Sequence, residues 1–135
     1  MTKALTIWQP WASLIAAGLK EYETRSWATK HRGALAIHAA KRWTWAERDF
    51  ANLLAARYPN EMRGVPPALP TGAVLGIARL IDCVPAGELR LPDFERAVGD
   101  FAPGRFAWRL EIVEVFAEPV PVRGRQGLWN WEGKL

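Results

Sequence analysis

The spacing of apolar and polar positions changes period several times along the chain. "ALTI" (Ala4–Ile7) is a short apolar run with β-branched residues and predicts a first strand. "PWASLIAA" repeats with helical spacing, so that Trp11, Leu14 and Ile15 share a face. Pro10 suits the first turn of that helix, where its missing N–H costs nothing, and Gly18 suits its stop. "EYETRSW" (Glu21–Trp27) alternates with period two: Tyr22, Thr24 and Ser26 on one side, Glu21, Glu23, Arg25 and Trp27 on the other. "GALAIHA" (33–39) reads as a largely buried strand. Thr44 and Glu47 form the T-x-x-E pattern of a capping box and open a helix that runs to about Tyr58.

Pro59, Pro66, Pro67 and Pro70 then predict an extended loop over 59–71. "GAVLGIARLIDCV" is a long buried strand, and "LPDFERAVG" a short helix begun by Pro92. "GRFAWRLEIVEVF" alternates, with Phe106, Trp108, Leu110 and Ile112 on one face and Ala107, Arg109, Glu111 and Val113 on the other. "EPVPVRG" reads as an edge segment punctuated by proline, and the chain closes on "RGRQGLWNWEG". Five or six strands and two or three helices, without a regular βαβ alternation, predict an α+β fold: a small curved or barrel-like sheet with helices at its ends.

A length of 135 residues predicts one domain, 1–135. Trp11–Leu19 is too short to span a bilayer, and the opening residues lack the order of a signal peptide. The one cysteine, Cys83, excludes an internal disulfide and reads as a small hydrophobe. These features together predict a cytoplasmic protein with no membrane partner.

Charge changes the picture. The net charge is +4, yet residues 1–67 carry +5 and residues 68–135 carry −1. The excess is concentrated in Lys20, Arg25, Lys30, Arg32, Lys41 and Arg42. A basic half rich in aromatics suits a polyanion, although +4 is also an ordinary solubility charge. The eight tryptophans are unusual, since a buried indole N–H wants an acceptor; most of them are expected in the core.

The chemistry-bearing groups follow from spacing. In Gly18-x-Lys20-x-x-Glu23-x-Arg25, a strand points Glu23 and Arg25 the same way, about 7 Å apart, with Lys20 in the preceding turn. One cation can orient the carboxylate and leave the other for a ligand; a solvated ion pair is the competing reading. Trp8 and Trp11 offer indoles for stacking a base, and Gln9 offers an acceptor and donors for a base edge. In "RGRQGLWNW", Arg123, Arg125 and Gln126 lie beside Trp129 and Trp131, a combination that suits phosphate and base contact or a lid over the end of the sheet. His38 reads as a core histidine and His31 as a solvated one. No histidine–cysteine spacing suggests a metal, and no P-loop, G-x-G-x-x-G or G-x-S-x-G run is present, so no metal or cofactor is expected.

"LTIWQPWASLIAAGLKEYETRSWATKHRGALAIHAAK", "GAVLGIARLIDC", "GRFAWRLEIVEVF" and "RGRQGLWNW" together resemble the ASCH domain family of the PUA-like superfamily, from Leu5 to about Trp131. The resemblance implies a PUA-like β-barrel with a cleft between barrel and first helix, lined by the G-x-K-x-x-E-x-R residues. It implies single-stranded RNA or a modified nucleoside or nucleotide as partner. Lys20 and Arg25 would meet phosphate or a base carbonyl, Glu23 would orient them, and Trp8, Trp11 or Trp108 would stack. Some small relatives hydrolyse the amide of N4-acetylcytidine with a Lys, a Thr three residues later and a distant Glu; another cleaves single-stranded RNA. Lys20 matches that Lys, Glu23 stands where the Thr is expected, and strand alternation turns Thr24 away. In a hydrolase, Lys20 would be the general base and Glu23 its carboxylate partner. A protein-interaction module with a tryptophan hot spot is the remaining alternative.

Overall fold

Segments of period-two patterning become strands, and those with capping signals become helices. The computed structural model describes residues 1–66 and 68–133. The elements run β1 (Thr2–Ile7), α1 (Trp11–Ala16), β2 (Tyr22–Arg25), β3 (Gly33–Ala39), α2 (Trp45–Arg57), α3 (Pro59–Met62), β4 (Ala73–Pro85), α4 (Asp93–Ala97), β5 (Phe106–Pro121) and β6 (Leu128–Trp131). A 3₁₀ turn, Ala86–Glu88, follows β4. The capping box forms as expected: the Thr44 hydroxyl accepts from Ala46 N, and Thr44 N donates to Glu47 Oε1 at 2.7 Å.

The six strands make one mixed sheet in the order β2-β5-β4-β3-β1-β6. Only β1 with β3 is parallel; the other neighbours are antiparallel. Among the described residues no backbone ladder joins β2 to β6, so the sheet is open. Arg25 in edge strand β2 nevertheless donates from Nη2 to the Thr6 carbonyl of β1 at 2.8 Å. The sheet therefore curls far enough for one side chain to cross between strands that are four places apart in the order.

That curl has a local cause. The β4–β5 register shifts between Val74 and Gly76, between Ile77 and Ala78, and between Leu80 and Asp82. Such irregularities bend a strand pair and increase its twist. At Gly76 the two backbones come so close that a Cβ would lie 2.2 Å from the Glu114 carbonyl oxygen.

Both faces of the central strands are covered. Leu5, Ile7, Leu35, Ile37, Leu75, Leu80, Trp108 and Leu110 pack with Ala12 and Ile15 of α1. On the reverse face Ala4, Ala36, Val74 and Ile77 meet Trp129 and Trp131 of β6. Leu14, Leu54, Met62 and Val98 form a third cluster between α1, α2 and the segment after α4. No helix among the described residues is long and apolar enough to cross a membrane.

Two expectations change. The proline-rich stretch is not wholly extended: Pro59 stands at the first position of the one-turn helix α3, where a proline fits. Pro67, part of the same expectation, lies outside the described residues. "EPVP" is not a separate segment but the end of β5, pairing Val120 with Val74 and Pro121 with Ala73. The prolines are tolerated because β2 pairs only with Phe106–Arg109, which leaves the other edge of β5 open there.

Candidate functional site

Gly18 has φ +75°, and the N–H groups of Leu19 and Lys20 return to the Leu14 carbonyl, ending α1 in a tight turn. The chain then enters β2, which is held to β5 through the pairs Glu23–Trp108 and Arg25–Phe106. This brings Lys20, Glu23 and Arg25 to one side of a cleft of about 420 Å³, within the usual range for a small-molecule site. Thr6 and Ile7 at the end of β1, Trp8 just after it, and Trp11 bound the opposite side. Phe50 of α2, Ala97 at the end of α4, the following Val98–Asp100, and Arg105 complete the lining.

Lys20 lies at the floor, 2% exposed, and its Nζ has no hydrogen-bond partner. Glu95 Oε2 lies 3.8 Å away, beyond hydrogen-bonding range, and it too is unpartnered. The other oxygen of Glu95 accepts from Glu21 N at 2.7 Å. Burial holds the Lys20 ammonium below its ordinary pKa, against the opposing pull of Glu23 and Glu95. Burial raises the Glu95 carboxyl, against the Glu21 N–H and the Lys20 charge. Both groups are thus pushed toward their neutral forms by the same desolvation. Gly99 passes over this pair: a Cβ there would lie 3.1 Å from Lys20 Nζ and 2.5 Å from the Phe101 ring.

Glu23 and Arg25 do pair, Nη2 to Oε2 at 2.9 Å, with Arg25 Nε donating to the same oxygen. Because the guanidinium also holds the Thr6 carbonyl, Arg25 is locked across the end of the cleft. Thr24 also borders the cleft, and its backbone carbonyl accepts from Arg105 Nη2 at 2.9 Å.

The aromatics divide. Trp8 is half exposed, with the Arg42 guanidinium 4.2 Å from its ring centroid. Trp11 stacks on Phe50 at 5.1 Å and 21°. Trp108 is fully buried and donates from Nε1 to the Trp27 carbonyl, so as a stacking surface it is corrected to a core residue. Gln9 is also fully buried: its Nε2 donates to Ser13 Oγ and the Pro70 carbonyl, and its Oε1 accepts from Ser13 N. All of its hydrogen-bonding atoms are thereby used inside the fold, and it pins the turn before α1. Arg125 and Gln126 border a different groove, shared with the cleft only through Thr6.

Glu95, Arg105, Phe50 and Gly99 carry no sequence signal for a site. Glu95 lies on the five-residue helix α4, and only its hydrogen bond from Glu21 N shows that its carboxylate turns inward.

The sequence model described as "ASCH domain" matches residues 5–119. Activating signal cointegrator 1 of Homo sapiens is 30% identical over 142 residues, covering 97% of this chain and 22% of that protein. The Mus musculus protein of the same name gives the same identity and coverage. The chain therefore spans about a fifth of the length of these curated relatives.

Proposed function

The chain belongs to the ASCH domain family, with its PUA-like fold, and on that premise we propose that its cleft binds RNA, as a single strand or a modified nucleotide. The observation that carries this reading is the Lys20 ammonium, buried on the floor of a nucleotide-sized cleft with no acceptor of its own. An unsatisfied buried polar group is costly, and more so when charged. A base carbonyl or phosphate oxygen entering the cleft supplies the missing acceptor. Arg25 and Arg105 also line the cleft, ion-paired with Glu23 at 2.9 Å and Asp100 at 3.3 Å, and Trp8 and Trp11 border it with aromatic surface.

Titrating labelled single-stranded RNA with wild type and Lys20→Ala at low salt tests the proposal. The expected result is a native-gel shift with intact RNA, at least ten-fold weaker in the variant and weakening steeply with salt. Equal affinity in Lys20→Ala overturns the assignment of the cleft.

One observation favours a second reading, an amide hydrolase on an acylated cytidine. Lys20 and Glu95 are a buried amine and carboxyl, both displaced toward neutrality and within 3.8 Å of each other. An amine of lowered pKa suits general-base work, with Glu95, rather than Glu23 alone, beside it. Turnover of N4-acetylcytidine that disappears in Lys20→Ala supports it; no turnover at high enzyme concentration removes it.

A further inference from the structure

A second groove, of about 820 Å³, opens on the other side of Thr6 from the cleft. The Thr6 carbonyl holds Arg25 of the cleft, and the Thr6 hydroxyl accepts from Trp129 Nε1. Three cations border the groove: Lys41, Arg123 and Arg125. Among the described residues none of them has a carboxylate within ion-pairing distance. Lys41 is also positioned, because its aliphatic stem lies along Gly72, where a Cβ would come within 3.0 Å of Lys41 Cγ.

His38 forms one wall of the groove and lies under the backbone that carries two of these cations. His38 is 2% exposed, and its Nε2 lies 2.7 Å from the Val122 carbonyl. A carbonyl can only accept, so Nε2 carries the proton and neutral His38 presents a bare acceptor at Nδ1. That Nδ1 is buried and unpartnered, and as an acceptor it makes no bond to a phosphate oxygen, so its part here is to shape the groove wall. Gly124 crosses directly above it: a Cβ there would lie 2.8 Å from Nδ1 and 2.7 Å from Thr6 Oγ1. Arg123 and Arg125 flank this glycine, so the close approach fixes where both cations leave the backbone.

Resting on the proposed nucleotide-binding reading, we infer that this groove is a second subsite that takes the phosphodiester backbone next to the nucleotide held in the cleft. The ligand is then a strand rather than a free nucleoside. Thr6 is the ridge between the base-binding and backbone-binding subsites. Arg42, adjacent to Lys41 in the chain, is ion-paired with Glu47 at 3.3 Å and stacks on Trp8, which holds that indole in place beside the cleft.

The test compares uridine monophosphate with a ten-nucleotide oligouridine and its deoxy counterpart, against wild type, Arg123→Ala/Arg125→Ala and Lys20→Ala. Both arginines are exposed, so the double variant is expected to fold. It should bind the oligonucleotide at least ten-fold more weakly at low salt and flatten the log–log salt slope by about 1.4, the share of two phosphate contacts on a single strand. Its affinity for the mononucleotide should be unchanged. Unchanged oligonucleotide affinity, or an equal loss for the mononucleotide, overturns the subsite. Equally effective competition by polyglutamate also overturns it, since any polyanion would then serve. Parallel losses on ribo- and deoxyribo-strands assign the backbone phosphates as the ligand, and a loss on the ribo-strand alone adds the 2′-hydroxyl. Lys20→Ala reports separately on the cleft through the mononucleotide, so failure of the cleft reading and failure of the groove reading give different results.

Discussion

Lys20 Nζ and Glu95 Oε2 face each other across 3.8 Å, and neither makes a hydrogen bond. A pair held to stabilise the fold would close this gap, because the desolvation of two buried charges is offset only by good geometry and full hydrogen bonding. The separation is better suited to receiving a third group between or beside them. Replacing the pair together, Lys20→Met with Glu95→Gln, should therefore leave the melting temperature equal to or above that of wild type, within a gain of about 1–4 kcal/mol. Binding of single-stranded RNA should fall at least ten-fold. Thermal melts beside binding titrations check this, and a double variant that melts well below wild type would show that the pair serves the fold.

The same burial gives a pH signature. The Glu95 carboxyl is raised above its ordinary 4.5 chiefly by desolvation. A raised folded-state pKa means that the folded protein holds this proton more tightly than the unfolded chain. The contribution to stability is complete below the ordinary value and is lost as pH rises through the folded-state value. Glu95→Gln carries no such titration. Its stability relative to wild type should therefore increase from about pH 4 toward neutrality and level off above the folded-state value. Urea midpoints of the two proteins across that range measure the difference, and a gap independent of pH would mean that Glu95 titrates normally.

Much of the fold is legible because its signals are local. The capping box at Thr44 and Glu47, the alternation from Phe106 to Leu110 and the glycine stop at Gly18 each depend on residues near one another in the chain. The segment around Lys20, Glu23 and Arg25 is legible for the same reason: three side chains on a turn and a short strand come together by spacing alone. Glu95 and Arg105 reach the cleft only through pairings more than seventy residues distant, with Glu21 and Thr24, and no periodicity marks them. Gln9 and Trp108 mislead in the opposite direction. Their side chains suit base recognition, yet Pro70, Ser13 and Trp27 satisfy them internally.

Gly76 tests the cause of the curl. Its φ is not in the left-handed region, so the constraint is space rather than backbone freedom. A Cβ at Gly76 would overlap the Glu114 carbonyl oxygen, and neither backbone can shift without disturbing the β4–β5 register. Gly76→Ala should destabilise by about 1–3 kcal/mol, the range for inserting an atom into a packed interior. Gly87→Ala is the matched control, since nothing lies within 4 Å of its Cβ position, and it should stay within about 0.5 kcal/mol of wild type. Chemical denaturation of both variants decides the matter, and equal stabilities would place the origin of the curl elsewhere.

Trp8, just past the end of β1, and Trp108, in β5, stand in opposite circumstances, one 50% exposed beside the cleft and one fully buried in the core. Removing Trp8 takes away a stacking face and the Arg42 contact, without opening a cavity. Trp8→Ala should keep the wild-type melting temperature and weaken single-stranded RNA binding by about 1–3 kcal/mol, the usual worth of one stacked base. Removing Trp108 empties the centre of the apolar cluster and leaves the Trp27 carbonyl without its donor. Trp108→Ala should cost about 3–5 kcal/mol of stability. Any binding defect it shows should follow the unfolded fraction and disappear when affinity is corrected for it. Melting curves paired with RNA titrations separate the two roles. A Trp8→Ala variant that binds as wild type would leave the base to Trp11 and Phe50, whose stacked rings form the other aromatic surface of the cleft.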